Sequence, residues 1–128
     1  MKVNVLVDSS AWIEYFAGGK LVEKCSKYIE KANKKEYFTP TVVLYEVYKK
    51  LKKEVSEEVA LSACAHIMGH TTIVNLNDEV AFKAGDISLS SNLGMADSII
   101  VATALLKNAK IVTMDKHLKG LGNVMFIE

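Results

Sequence analysis

Three of the chain's five aspartates stand where a carboxylate does more than solvate a surface. Asp8 directly follows the short β-branched run Val3–Val7, and Asp115 closes Lys110–Thr113-Met114. Open α/β sheets place their ligand crevice at the carboxyl ends of such strands. Asp97 lies in the first turn of Met95–Leu106, a segment too apolar to offer it a broad polar face. An unpaired buried carboxylate costs several kcal/mol, and no lysine is near Asp97 in the sequence. Taken singly, each aspartate also suits a helix cap or a turn after a strand. Glu46 leaves two readings open. Val43, Leu44, Val47, Tyr48 and Leu51 share one face of a helix from Thr41 to Lys53, and Glu46 falls opposite them with Lys49, Lys50 and Lys53. There it is either half of a Glu46–Lys50 surface pair or a fourth acid of the set. Four converging carboxylates carry about four negative charges, which roughly two Mg²⁺ would balance. Hard divalent cations take oxygen ligands, and such a site suits hydrolysis of a phosphodiester.

The elements that must position these acids alternate. After the strand Val3–Val7, Ser9 or Ser10 is expected to cap a helix through Phe16 that Gly18-Gly19 stops. Leu21, Val22, Cys25, Tyr28, Ile29 and Ala32 recur at helical spacing. Tyr37–Thr39 reads as a strand, and Ser56 as the cap of a helix reaching Met68. Thr71–Leu76 reads as a strand, and Asn77 caps a helix over Asp78–Ser91. Asn92-Leu93-Gly94 turns the chain into a nearly all-apolar helix over Met95–Lys107, and Val124–Ile127 is the last strand. Strands separated by helices imply a parallel sheet with helices on both faces, within one domain spanning residues 1–128.

Composition narrows the class. All sixteen basic residues are lysine and the net charge is +1, so the strongly basic signature of many nucleic-acid binders is missing. Any phosphate contact falls to ammonium groups without a guanidinium fork. Lys49, Lys50, Lys52 and Lys53 form a positive run that serves either an RNA backbone or the helix macrodipole. Cys25 and Cys64 have no pairing motif, and free thiols in a reducing cytoplasm are expected. No uncharged run reaches membrane-spanning length.

Four segments in order carry a resemblance. They are Val5-Leu6-Val7-Asp8-Ser9-Ser10, Thr39–Val47 around Glu46, Met95–Ala104 around Asp97, and Ile111–Leu118 around Asp115. Over essentially its whole length the chain resembles PIN-domain proteins, close in layout to the VapC-type toxins of toxin–antitoxin pairs. The resemblance implies a three-layer α/β/α fold with a five-stranded parallel sheet in order 3-2-1-4-5. It implies Asp8, Glu46, Asp97 and Asp115 as ligands of Mg²⁺ or Mn²⁺, supported by Ser9 or Ser10 and Thr113. The implied activity is endonucleolytic cleavage of single-stranded RNA, with an antitoxin and a second copy of the chain as partners. Two departures bear on RNA recognition: Leu118 stands where the family often has an aromatic residue, and arginine is absent. The reading from another class is a PIN-like module that binds RNA or protein without cleaving.

Other features are weaker. His66 and His70 have a spacing that could chelate Zn²⁺, but no third ligand is evident. His117, two residues after Asp115, reads as a surface histidine that could reach the pocket as a proton donor. Trp12, Tyr15 and Phe16 suit a core or a dimer face better than a base-stacking platform.

Overall fold

Val5, Leu6 and Val7 are all buried, so the first strand runs through the interior. The structure is a computed structural model that describes residues 3–128. These form β1 (Asn4–Val7), α1 (Ser9–Ala17), α2 (Val22–Ile29), β2 (Phe38–Pro40), α3 (Thr41–Glu54) and α4 (Glu57–His70). Then follow β3 (Thr72–Val74), α5 (Asp78–Ser91), α6 (Met95–Leu106), β4 (Ala109–Thr113) and β5 (Val124–Phe126). The class is α/β with parallel pairing throughout.

One continuous five-stranded ladder was the expectation, and the strands divide differently. β1, β4 and β5 form one ladder in that order, and β2 pairs with β3 in another. A single parallel bridge, Val5 to Tyr37, connects the two, with the Val5 N–H donating to the Glu36 carbonyl at 2.7 Å. The reason lies in β2. Pro40 has no N–H to donate on the side facing β1, so the pairing of β2 with β1 stops at the Val5–Tyr37 bridge while β2 pairs with β3 from Phe38 to Pro40.

Register places the acids. β1 pairs with β4 from Asn4–Ala109 to Val7–Val112, and the Asp8 N–H extends the ladder by one bond to the Val112 carbonyl at 3.0 Å. Asp8 is thereby held at the carboxyl end of β1, beside the end of β4 that leads to Asp115. Helix α6 is buried without interruption from Ser98 to Ala104, as an all-apolar helix must be. Only its ends reach solvent, and Asp97 is on the first turn. Along α3, Val43, Val47 and Leu51 form the buried stripe.

Sequence-predicted caps are observed at Ser56 and Asn77, whose side chains accept from Val59 N–H and Val80 N–H. The cap of α1 is a correction. Neither Ser9 nor Ser10 fills it; Asp8 does, with its side chain on the Ala11 N–H. Trp12 is fully buried, stacked on Phe16 at 6.0 Å between ring centroids, so it belongs to the core and offers no dimer face. Cys25 and Cys64 are buried free thiols. Among the described residues no single helix is long and apolar enough to cross a membrane.

Candidate active site

Asp8 is 2 % exposed and both of its oxygens are engaged. Oδ1 accepts from the Ser10 hydroxyl at 2.6 Å and, weakly, from the Ala11 N–H at 3.4 Å. Oδ2 accepts from the Thr113 hydroxyl at 2.5 Å. The same two hydroxyl oxygens accept backbone N–H groups from the segment after β4: Met114 on Ser10 and Asp115 on Thr113, each at 2.9 Å. Each hydroxyl has one proton, and each spends it on Asp8. The 3.4 Å approach of Ser10 Oγ to Thr113 Oγ1 is therefore a contact between two acceptors. This clamp is built for a carboxylate, yet burial pushes the Asp8 pKa up to about 6, with the charge of Asp115 adding to the rise.

Asp97, Asp115 and His117 bring one ligand atom each to within 4.8 Å of one another. Burial pushes the Asp97 pKa up to about 6, followed by the charge and the hydrogen bond of Asp115 and the charge of Glu46. His117 opposes the rise. Asp115 Oδ1 receives both the backbone N–H and the ring Nδ1 of His117 at 2.9 Å, which holds the Asp115 carboxylate in one orientation. Glu46 is half-buried and accepts from the Ser9 hydroxyl at 2.9 Å. The two consecutive serines therefore divide their work, Ser9 to Glu46 and Ser10 to Asp8. The alternative Glu46–Lys50 pair does not form, and Lys50 reaches Glu54 at 3.4 Å instead.

Of the four sequence-predicted acids, Asp97 and Asp115 bring ligand atoms together, the charge of Asp115 acts on Asp8 and that of Glu46 on Asp97, and Asp8 and Glu46 stand outside the close group. His117 reaches Asp115 while being the surface residue that its position suggested, and the two-residue offset from Asp115 was the signal for both. The donors are mostly carboxylate oxygens, and burial raises the pKa values of Asp8 and Asp97 among them. That set fits a hard divalent cation, whose charge would reverse the mutual repulsion.

The lysine run divides. Lys49, Lys50 and Lys53 line a groove of about 550 Å³ together with Ser9, Ser10 and the carboxylates Glu14, Glu46 and Glu54. Lys52 turns away to Glu57 at 3.4 Å and the Tyr48 hydroxyl at 3.2 Å. At the other end of α4, the His66 and His70 rings stack at 4.1 Å and the His70 Nδ1 lies 2.8 Å from the His66 carbonyl oxygen. Among the described residues no third ligand joins them.

A family model described as PIN domain matches residues 5–123. No curated protein sequence gives a match. Among solved structures, the chain is similar to VapC20 of Mycobacterium tuberculosis, described as a sarcin-ricin loop cleaving toxin. The TM-score is 0.80 at 16% identity, covering 98% of this chain and 100% of that one. A chain of a toxin–antitoxin complex from Klebsiella pneumoniae gives 0.76 at 21% identity, with 95% and 96% covered. A chain of VapBC2 from Rickettsia felis, bound to a DNA fragment from its promoter, gives 0.74 at 16% identity, with 98% and 100% covered. At these identities the likeness is one of fold.

Proposed function

The chain belongs to the PIN-domain family, and from that premise we propose that it is an endoribonuclease, dependent on Mg²⁺ or Mn²⁺, that cleaves single-stranded RNA as the toxin of a toxin–antitoxin pair. The observation that carries this reading is the convergence of Asp97, Asp115 and His117 beside the clamped Asp8. A module that only binds has no use for two buried carboxyls, set beside further acids, whose pKa values burial first and neighbouring charge second raise to about 6.

Asp8, Glu46, Asp97 and Asp115 are the residues that would hold the cation. When bound, it supplies Lewis acidity and a more acidic water for attack on phosphorus. The chain's own residues supply placement. Ser10 and Thr113 keep Asp8 ionised and aimed, Ser9 fixes Glu46, and His117 fixes one oxygen of Asp115. Lys49 and Lys53, which line the same groove as Glu46, draw the RNA backbone toward it.

The finer parts of the reading have separate support. The Val5–Tyr37 bridge favours treating the two ladders as halves of one sheet in order 3-2-1-4-5. Phe82 and Leu89, 75% and 89% exposed at a seven-residue spacing on α5, favour a homodimer through that helix. Buried free Cys25 and Cys64 suit a reducing cytoplasm. The antitoxin partner rests on the likeness to VapC-type chains. The test is cleavage of single-stranded RNA by purified protein with Mg²⁺ or Mn²⁺, with chelator, and with Asp97→Asn. Cleavage that stops with chelator and is absent from Asp97→Asn is expected; undiminished cleavage by Asp97→Asn would overturn the assignment.

A further inference from the structure

Tyr45 and Ala96 immediately precede Glu46 and Asp97, and both line an apolar pocket of about 500 Å³. The helices that carry two of the four acids therefore also build this pocket. Its other walls include Leu76, Met95 and Ile99, and Thr41 brings a hydroxyl to the lining. Tyr45 is 60% exposed and Met95 75% exposed, so a phenol ring and a thioether are both open to a ligand. Tyr45 also borders the lysine groove, where the Lys49 ammonium sits over its ring at 5.5 Å and 3.3 Å from its hydroxyl. One residue thus borders both a groove of lysines and glutamates, with Lys49 beside it, and an apolar slot beside the acids.

We propose that Tyr45 is a base-stacking platform and that the apolar pocket beside it holds the nucleobase next to the scissile phosphate, with Lys49 taking a neighbouring phosphate. The proposal rests on the nuclease reading above and adds a substrate subsite to it. A nucleobase has two apolar faces and a polar edge, which matches apolar walls with one hydroxyl among them. Proteins that take single-stranded RNA commonly splay a base out and stack it on an aromatic ring or an arginine plane. This chain has no arginine, and Trp12 is sealed in the core. Tyr45 is the exposed aromatic ring in contact with both the groove and the acids' neighbours. Stacking accepts any base, so the subsite fixes the strand's path more than its sequence.

The experiment first maps the position at which wild type cleaves a single-stranded RNA oligonucleotide in Mn²⁺. Absence of cleavage overturns the nuclease reading and this subsite with it. 2-Aminopurine, or an abasic nucleotide, is then placed on either side of that position. Binding is read by fluorescence in chelator, and KM and kcat by cleavage in metal, for wild type, Tyr45→Phe and Tyr45→Ala. Wild type and Tyr45→Phe should quench 2-aminopurine at one of the two positions, and Tyr45→Ala should not. Tyr45→Ala should raise KM about five- to a hundredfold, the range of one lost stack, with a much smaller change in kcat. The abasic substrate should raise wild-type KM by a similar factor and add nothing to Tyr45→Ala. Cleavage by wild type with no effect of Tyr45→Ala, or with independent effects of variant and abasic site, overturns the subsite while leaving the nuclease reading intact. Light scattering on the same samples covers the competing occupant. A dimer that Tyr45→Ala dissociates, with intact and abasic RNA bound equally by wild type, would make the pocket a protein contact and overturn the proposal.

Discussion

The Thr113 hydroxyl donates to Asp8 Oδ2 at 2.5 Å across 105 positions of sequence and accepts the Asp115 N–H at 2.9 Å. One hydroxyl thus ties the end of β1 to the segment after β4 and couples two of the four acids. Thr113→Val conserves shape but leaves Asp8 one donor short and the Asp115 N–H without its acceptor. It should destabilise the fold by about 1–3 kcal/mol. Thr113→Ser retains both bonds and should lose less. Urea denaturation of the pair checks this, and equal stabilities for Thr113→Val and wild type would contradict the clamp.

The raised pKa values of Asp8 and Asp97 set a sign for pH dependence. Both carboxyls titrate at 3.8 in the unfolded chain and at about 6 in the fold. Between those values the native state holds protons that the unfolded chain has released, so metal-free stability should fall as pH rises from about 4 to 6. Asp8 alone accounts for on the order of 2–3 kcal/mol of that fall. Asp97→Asn removes one of the two titrations and should flatten the slope. Melting curves in chelator across this window test it; a slope of opposite sign would contradict the raised pKa values that burial gives these two carboxyls.

How much of this was legible beforehand depends on the range of the interaction. β1 and its Asp8, the apolar α6 and the caps at Ser56 and Asn77 follow from local pattern, and the structure has them. What local pattern misses is who wins a competition. At the start of α1, Asp8, Ser9 and Ser10 could all cap, and Asp8 does so because its backbone is already anchored on Val112. Glu46 could pair with Lys50, but Ser9 arrives from another element, and Glu54 takes the lysine. Trp12 looked available for a dimer face until α4 brought His66 against it. The split between the two ladders turns on Pro40 falling where β2 would donate to β1, and no periodicity records which strand lies beside β2.

The lysines should separate by function. Lys49→Gln with Lys53→Gln removes two groove-lining charges, whereas Lys52→Gln removes one that faces Glu57. The first pair should weaken binding of single-stranded RNA and reduce the slope of log K against log salt by roughly 0.7 per lost contact. Lys52→Gln should change neither. An equal effect from Lys52→Gln would mean that overall charge, and no particular groove, attracts the RNA.

Association through α5 makes a prediction independent of catalysis. Replacing Phe82 and Leu89 together by lysine alters two exposed positions and should leave the monomer folded. It should also convert a dimer to a monomer in light scattering. A wild type that is monomeric at working concentration would contradict the interface outright.

The acid cluster as a divalent-cation site is tested most directly by the metal response of stability, which requires no knowledge of the RNA target. Melting curves of wild type and Asp97→Asn are compared in chelator and in excess Mg²⁺ or Mn²⁺. In chelator Asp97→Asn should be at least as stable as wild type, since it relieves repulsion with Asp115 and Glu46. In metal the order should reverse, because a ligand that binds only the folded state stabilises by about 2.7 kcal/mol at a hundred times Kd. Wild type should therefore melt higher in metal while Asp97→Asn gains little. Equal gains in both proteins, or no gain in wild type, would contradict the site.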